Sequence, residues 1–242
     1  MTTAPTADLT QHGSALVIGT GALGSAMAAQ FKACGRYSQV LMLGRSSSPA
    51  IDYAEEASIE QAAHWTQTQC KQAHLSLRLV MVCTGFLHGP LGQPERSWQH
   101  LDEGYLAHCF LVNALGPALV MKHILPLLPR QGACRAIFVS ARVGSIGDNR
   151  LGGWYGYRAS KAALNQLVRT ASIEQARRNR ESVVAALHPG TVDSPLSAPF
   201  SKSGLQVRSP QEAALQIESV IHALTSEQTG QFVDAQGQVV PW

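Results

Sequence analysis

The chain has 242 residues, of which 45% are hydrophobic and 14% are charged, and its formal net charge is +3. A chain of this length can bury a substantial core, and its composition argues against disorder. We therefore predict one domain over residues 13–242, preceded by a flexible leader of residues 1–12. The same composition argues against a nucleic-acid partner, which would require a dense basic face, and the charge of +3 is too small to indicate any partner.

The sequence shows no sign of an export signal or of contact with a membrane. No apolar run approaches the roughly 20 residues that are needed to span a bilayer. The opening MTTAPTADLTQHG lacks the basic start and the apolar centre of a signal peptide. These features predict a cytoplasmic protein with no membrane partner. The five cysteines, without CxxC spacing, predict buried free thiols rather than a zinc site or a disulfide framework.

Short apolar runs alternate with longer segments of helical spacing. Near-continuous apolar runs are typical of parallel strands that are buried on both faces, and their alternation with helices is typical of a doubly wound sheet. We therefore predict an α/β fold, a single-domain Rossmann fold with a doubly wound, mostly parallel sheet of about seven strands and helices on both faces. The predicted strands lie at Ala15–Ile18, Val40–Leu43, Leu79–Cys83, Ala136–Val139, Val183–Leu187 and near Gln231–Val233.

Long helices are predicted in the second half of the chain. The spacing of apolar residues indicates helices over about Tyr105–Leu127, Tyr155–Arg178 and Gln211–Leu224. The stretch Ser46–Ser76 is rich in Ala, Gln and Glu, which also favours helix. The third strand of the sheet has no distinct position within that stretch.

A glycine-rich loop, GTGALG, follows the first apolar strand and precedes a helix-forming segment. Glycines at such a junction allow the backbone to approach a pyrophosphate, whose charge is met by the N–H groups of the helix start. The position of the loop between a strand and a helix favours dinucleotide binding. The alternative is that these glycines serve only a tight turn. The predicted cofactor-binding residues of the loop are Gly19, Thr20, Gly21, Leu23 and Gly24.

The end of the second strand bears on the choice of dinucleotide. NAD-binding proteins carry an acid there, about 20 residues after the glycine loop, which holds the ribose 2′-hydroxyl. This chain has Gly44-Arg45 instead. Since a guanidinium can bind a 2′-phosphate through two hydrogen bonds, Arg45 favours NADP(H) over NAD(H). The alternative is an arginine that only faces solvent.

A tyrosine and a lysine, Tyr157 and Lys161, are spaced i, i+4 on a predicted helix and therefore share one face. A nearby ammonium favours the phenolate form and is expected to lower the tyrosine pKa. Such a tyrosine can donate a proton to a carbonyl oxygen as hydride arrives, or accept one in the reverse reaction. The pattern therefore predicts an acid–base pair.

With these motifs in this order, the chain resembles the short-chain dehydrogenase/reductase family, and its C-factor-like branch in particular. The resemblance covers nearly the whole chain. It implies NADP(H)-linked interconversion of a carbonyl and an alcohol, with Tyr157 as acid–base, Lys161 holding the ribose and Asn113 in a proton relay. It also implies a homodimer or homotetramer that associates through the two long helices around Asn113 and Tyr157. Further cofactor contacts are implied for Cys83, Thr84, Gly85, Pro189, Gly190, Thr191 and Val192.

Asn113 is also connected to a feature of its own helix. Pro117 cannot donate a hydrogen bond to the carbonyl group four residues earlier, which belongs to Asn113. The freed carbonyl could hold a water that connects Lys161 to solvent, as the resemblance implies. The alternative is a helix kink with a polar residue nearby.

Three positions depart from the pattern of the family. The glycine loop is one residue shorter than usual, and Cys83 replaces the asparagine that commonly opens its motif. The position of the serine that polarises the substrate carbonyl is occupied by Ala141. Two hydroxyls are candidates to replace it, and we favour Ser140 over Ser145.

Two loops and a histidine complete the predicted site. The polar segment Asp193–Gly204 is predicted to be a substrate lid, and Asp148–Trp154 another wall of the pocket. His188 is expected to be a hydrogen-bonded structural residue rather than a base. Two functional hypotheses follow: an NADP(H)-dependent oxidoreductase acting on a small carbonyl or alcohol, or a C-factor-type signalling protein that binds NADP(H) with little catalysis.

Overall fold

Eight strands are present in the part of the chain that is described by the computed structural model, residues 13–200 and 206–242. The predicted leader and residues 201–205, which include the end of the predicted lid, lie outside this part. The strands are β1 (Gly13–Ile18), β2 (Tyr37–Leu43), β3 (Leu77–Val82), β4 (Cys134–Val139), β5 (Ser182–His188), β6 (Thr191–Val192), β7 (Val207–Arg208) and β8 (Phe232–Asp234).

Six of these strands form a parallel sheet in the order β2-β1-β3-β4-β5-β8, and β6 pairs with β7 in a small separate sheet. Alternate strand residues face opposite layers of helices. Ala15 and Val17 pack in one core and Leu16 and Ile18 in the other. The predicted α/β fold is therefore confirmed. The helices are α1 (Ala22–Ala33), α2 (Glu56–Gln72), α3 (Glu103–Phe110), α4 (Gly116–Ile124), α5 (Tyr155–Arg178) and α6 (Pro210–Ala223).

The main sheet has six strands, one fewer than the predicted number of about seven. The stretch Ser46–Ser76 forms α2 but contributes no strand to the sheet. Its Ala, Gln and Glu residues favour helix, and it has no second apolar run that could pair with β2. As a result β2 is an edge strand, and four of its seven residues keep some access to solvent.

The segment Glu103–Leu127 is a continuous helix that changes its winding at Asn113. After α3, a π-helical turn spans Leu111–Leu115, and α4 begins at Gly116 with Pro117 in its first turn. The N–H group of Gly116 donates to the carbonyl oxygen of Leu111, five residues earlier. The structure thus has a π-helical turn near the proline, and such turns often occur at functional sites.

By length and composition this helix is also apolar enough to cross a membrane, with a mean hydropathy of 1.4 over a window of the segment Glu103–Leu127. Polar residues such as His108, Asn113 and Lys122 interrupt it, so it contains no strictly apolar run of that length. In the fold it packs against α2 and α5. Its apolar side chains therefore contribute to the core.

The strand order reverses at β1, because the chain passes from β1 to β2 on one side and then to β3 on the other. Ligands of open α/β sheets bind at the carboxyl edge near such a reversal. The predicted site residues follow the ends of four strands at this edge: Gly19 after β1, Cys83 after β3, Ser140 after β4 and Pro189 after β5.

Candidate active site

The first turn of α1 is open to an anionic ligand. Its N-cap, Gly21, makes no side-chain capping hydrogen bond, and no acidic residue lies in the first turn. A Cβ atom added to Gly21 would meet no atom of the described residues within 4 Å. Unpaired N–H groups and the positive end of the helix dipole favour a phosphate at such a position. The geometry therefore fits the pyrophosphate of the predicted dinucleotide.

The other two glycines of the loop are required by close packing. Gly19 has a φ of +116°, and a Cβ atom there would lie 3.1 Å from the carbonyl carbon of Cys83. A Cβ atom on Gly24 would collide with the carbonyl oxygen of Gly19. These contacts hold α1 close to β1 and β3. The missing residue of the loop therefore does not prevent tight packing of the helix on the sheet.

The end of β2 lies against the glycine loop. A Cβ atom on Gly44 would be 2.8 Å from Cγ2 of Thr20. The next residue, Arg45, is exposed, and no hydrogen bond or ion pair engages its guanidinium in the described part of the chain. Arg45 is therefore next to the glycine loop with its charge available to a ligand.

The Cys83-Thr84-Gly85 segment follows β3 and connects the glycine loop to the acid–base pair. Burial raises the pKa of the Cys83 thiol to about 12, so it stays protonated at neutral pH. The hydroxyl groups of Thr84 and Tyr53 are 2.9 Å apart, which anchors the segment. A Cβ atom on Gly85 would lie 3.6 Å from Nζ of Lys161. Gly85 thus leaves space beside the lysine.

Asn113 is fully buried in the π-helical turn, where its side chain joins two other segments. Its Oδ1 accepts from the N–H group of Phe86 at 2.8 Å, and its Nδ2 donates to the carbonyl oxygen of Phe86 at 2.8 Å. The Nδ2 group also donates to Oγ of Ser160 on α5 at 3.0 Å. The amide of Asn113 therefore fixes the loop after β3 to the helix that carries Tyr157.

Tyr157 and Lys161 are both buried in the first two turns of α5. The Lys161 Nζ donates to the carbonyl oxygen of Val139, at the end of β4, at 2.9 Å. The same Nζ is 6.0 Å from the centre of the Tyr157 ring. The two side chains thus share one face of the helix, and the lysine is anchored to the sheet edge.

Burial shifts the pKa values of this pair in opposite directions. It lowers the pKa of Lys161 to about 8 and raises that of Tyr157 above its usual value. The expectation that Lys161 lowers the Tyr157 pKa is not met in this structure, because desolvation of the phenol dominates and the ammonium is bonded to Val139. Tyr157 is therefore protonated at neutral pH, the form that a proton donor requires.

The two candidate serines have different partners. The Ser140 hydroxyl donates to Oδ1 of Asn165 at 2.6 Å, and both residues are buried. The Ser145 hydroxyl accepts from the backbone N–H group of Asp148 at 3.1 Å. A serine has only one proton to donate. Ser140 can therefore polarise a carbonyl only by giving up its bond to Asn165, and its predicted role remains a prediction.

The turn after β5 lies at the same edge of the sheet. Gly190 has a φ of +76°, which a glycine adopts without strain, and Thr191 and Val192 form β6. The expectation that the preceding His188 is hydrogen-bonded is not met at Nδ1, which is buried without a hydrogen-bond partner among the described residues. Burial lowers the pKa of His188 to about 4, so its ring is neutral at pH 7. A ring with a pKa this far below neutral pH is a weak base, which argues against a role as general base.

Three residues that sequence reasoning missed support the site. Asn165 lies eight residues after Tyr157 on α5, so continuing the i, i+4 spacing would have found it. Ser160 connects Asn113 to the carbonyl oxygen of Tyr157, to which it donates at 3.0 Å. Glu95 is buried and accepts hydrogen bonds at the start of α5. A single acid in a loop gives no sequence signal for such a role.

The chain is similar to several known proteins. A model of the short chain dehydrogenase family matches residues 14–204. C-signal of Myxococcus xanthus is 41% identical over 150 residues, which are 59% of this chain and 81% of that protein. The 1-hydroxy-2-glutathionyl-2-methyl-3-butene dehydrogenase of Rhodococcus sp. (strain AD45) is 36% identical over 200 residues, 82% of this chain and 81% of that protein.

A solved structure shows the same fold. The NADPH-bound carbonyl reductase from chicken fatty liver has a TM-score of 0.83, and the match covers 96% of this chain and 100% of that chain. The sequence identity of the two is 21%. The glycine loop, the π-helical turn and the Tyr157–Lys161 pair of this chain are thus built on a fold that the two proteins share.

Proposed function

The chain belongs to the short chain dehydrogenase family, and from that premise we propose that it interconverts a carbonyl and an alcohol with NADP(H). The observation that carries the proposal is the buried Tyr157–Lys161 pair, which lies beside the space left by Gly85. The anchored ammonium lies 6.0 Å from the ring centre of the protonated phenol, at the carboxyl edge of the sheet. This arrangement suits proton transfer to a carbonyl oxygen.

The residues that would hold NADP(H) lie at four strand ends and on α5. The N–H groups at the start of α1, at Gly21, suit the pyrophosphate, and Arg45 suits the 2′-phosphate. The Cys83–Gly85 segment, the turn at Pro189–Val192 and the ammonium of Lys161 complete the binding site. The carbonyl reductase from chicken fatty liver is described as NADPH-bound, which supports the same choice of cofactor here. When bound, NADPH supplies the hydride.

In the proposed reduction, Tyr157 donates its proton to the carbonyl oxygen as the carbonyl carbon accepts the hydride, and an alcohol forms. Burial keeps the phenol protonated until the reaction occurs. The resulting phenolate is stabilised by the Lys161 ammonium, and Asn113 belongs to the route by which a proton returns. In the oxidation the same groups act in reverse, and the phenolate accepts the proton of the alcohol.

The test is the NADPH-dependent reduction of a panel of aldehydes and ketones by the wild type and by Tyr157→Phe. Removing a general acid is expected to lower kcat by roughly 10²- to 10⁴-fold. The affinity for NADPH should stay within about twofold, because the aromatic ring remains. Turnover that is equal in the two proteins would contradict the proposal.

A second function is supported by the 41% identity to C-signal and by Ala141 at the position of the usual serine. In that case the protein binds NADP(H) as a signalling or regulatory protein with little or no catalysis. Tight NADPH binding without Tyr157-dependent turnover on any carbonyl would support this second function. The intact acid–base pair favours the first.

We further propose a homodimer or homotetramer in the cytoplasm. Apolar side chains on the two long helices remain exposed in the single chain: Phe110 and Leu115 around the π-helical turn, and Ile173 on α5. Association through these helices would cover them. Light scattering of the purified protein, compared with Ile173→Glu, tests this: the substitution should reduce the molar mass to that of one chain.

A further inference from the structure

A left-handed turn of three residues immediately precedes the helix that carries Tyr157. Gly152, Gly153 and Trp154 have φ values of +64°, +65° and +54°. Glycine adopts such a conformation without strain, but a bulky side chain does so rarely and at an energetic cost. Trp154 is also the N-cap of α5, a position where small polar residues are preferred. The cost indicates that the position of the indole ring is important for another reason.

Glu95 holds this turn in place from a distant loop. Its side chain is buried, and its carbonyl oxygen accepts from the N–H group of Trp154 at 2.5 Å. Its carboxylate oxygens accept from the N–H group of Gly156 at 3.1 and 3.2 Å. Because a carboxylate is also favoured at the positive end of a helix, Glu95 stabilises the backbone on both sides of Tyr155.

The indole of Trp154 belongs to an aromatic wall, which we define as Trp154, Phe200 and His88. The ring centres of Trp154 and Phe200 are 5.0 Å apart, and those of Phe200 and His88 are 5.4 Å apart, both edge to face. The His88 Nε2 atom lies 3.0 Å from the carbonyl oxygen of Pro195, which ties the two loops together. The wall therefore combines three segments that are distant in the sequence.

The aromatic wall lies beside the acid–base group. The ring centre of Trp154 is 6.3 Å from that of Tyr157, again edge to face. All three residues of the wall keep part of their surface exposed, so their rings are available to a ligand. An aromatic ring attached to a carbonyl group at Tyr157 could contact the edges and faces of the rings in the aromatic wall. Pairs of aromatic rings attract each other beyond the effect of buried area.

We propose that Trp154, positioned by Glu95, determines the specificity of the site and selects carbonyl compounds that carry an aromatic ring over small aliphatic ones. The proposal rests on the proposed function, since it names the substrate class of that same site. Loss of one ring contact, with the apolar surface that it covers, is expected to change the preference by about 10- to 100-fold.

The first experiment compares benzaldehyde and butanal as substrates with NADPH. Trp154→Leu should lower the ratio of kcat/KM for benzaldehyde to that for butanal by about tenfold or more. Trp98→Leu is the matched control, because Trp98 lies in the same loop as Glu95 but is 70% exposed. Its ratio should equal that of the wild type. An unchanged ratio in Trp154→Leu would overturn the proposal.

A binding experiment separates this proposal from the proposed function. Benzaldehyde is titrated by calorimetry into the NADPH complex of Tyr157→Phe, with and without Trp154→Leu. Affinity that falls about tenfold with Trp154→Leu supports the aromatic wall even if the wild type reduces no carbonyl. Equal affinity with and without Trp154→Leu, or no binding of benzaldehyde at all, would overturn the proposed role of the aromatic wall. In that case Tyr157-dependent turnover of butanal would still support the proposed function.

Glu95 is a positioning residue in this proposal, and two variants test that role. Glu95→Gln keeps an oxygen that can accept from Gly156, so the benzaldehyde-to-butanal ratio should stay near that of the wild type. Glu95→Ala removes the side-chain acceptor of Gly156 and keeps only the backbone bond to Trp154, so its ratio should fall towards that of Trp154→Leu. If Glu95→Ala lowers the Tm but leaves the ratio unchanged, Glu95 is only structural and its positioning role is excluded.

Discussion

The proposed site has two halves that are built in different ways. The cofactor half consists of the glycine loop, the end of β2 and the Cys83–Gly85 segment, and its contacts are made mainly by backbone atoms. The substrate half consists of the residue after β4, the loop before α5, and the loops that carry His88 and Phe200. Its contacts are made by side chains such as Trp154, His88 and Ser140.

This difference explains why the two halves are not equally visible in the sequence. Where two backbone segments of the cofactor half touch, only glycine fits. The glycines in the sequence therefore indicate where the backbone makes close contacts. A side-chain wall can be made by many residue types on loops, and the partners are set by the fold. Substitutions in the two halves should therefore have different effects on stability, cofactor affinity and turnover.

Among the substitutions that compare the two halves, the largest effect is expected from Gly24→Ala in the cofactor half. The added methyl group collides with the carbonyl oxygen of Gly19, so α1 must move away from β1. We expect a loss of stability of about 1–3 kcal/mol and a roughly 10- to 100-fold loss of NADPH affinity. Urea unfolding and calorimetric titration measure the two.

Gly21→Ala is the matched control for that variant. Its added methyl group meets no atom of the described residues within 4 Å, but it points into the space at the start of α1. Stability should stay near that of the wild type while NADPH affinity falls. If both glycine variants retain full NADPH affinity, the backbone cradle does not hold the pyrophosphate.

Next in size is the effect of Arg45→Ala on the choice of cofactor. Loss of a charge-assisted contact to the 2′-phosphate should weaken NADPH binding by roughly tenfold or more. NADH affinity should not change, because NADH lacks that phosphate. Arg180→Ala, at an exposed position beyond the far end of α5, controls for the loss of one charge. If the ratio of NADPH affinity to NADH affinity is the same in Arg45→Ala and in the wild type, the Arg45 side chain only faces solvent.

In the substrate half, Ser140→Ala is expected to affect stability. It leaves Oδ1 of Asn165 buried without its donor, which should cost about 1–3 kcal/mol. Ser145→Ala removes only an acceptor for the N–H group of Asp148, and its cost should be smaller. Thermal unfolding compares the two. Should either variant turn over carbonyl substrates roughly two orders of magnitude more slowly with its Tm unchanged, that serine would instead be assigned to the carbonyl.

The smallest effect concerns His188 and the dependence of stability on pH. Its folded pKa, about 4, lies below its usual value of 6.5, so between these values the unfolded chain binds a proton that the folded chain does not. This histidine therefore lowers stability as the pH falls from 6.5 towards 4. His188→Asn should lose less stability than the wild type between pH 7 and pH 5 in urea unfolding. If the stability of both proteins falls equally between pH 7 and pH 5, the lowered pKa of His188 is contradicted.

Features that depend on residues close together in the chain could be predicted from the amino-acid sequence. Alternating apolar runs predicted the parallel sheet, the glycine loop indicated the junction of β1 and α1, and i, i+4 spacing placed Tyr157 and Lys161 on one face. Each of these follows from a short repeat or from a steric limit within one turn.

Features that depend on distant partners emerged only in the folded chain. Folding left the main sheet with six strands, paired Ser140 with Asn165, and brought Glu95 to the start of α5. It also reversed the expected shift of the Tyr157 pKa, because burial outweighs the nearby lysine. Desolvation and hydrogen-bond partners are set by all the segments that surround a group. They therefore cannot be predicted from the spacing of residues within one segment.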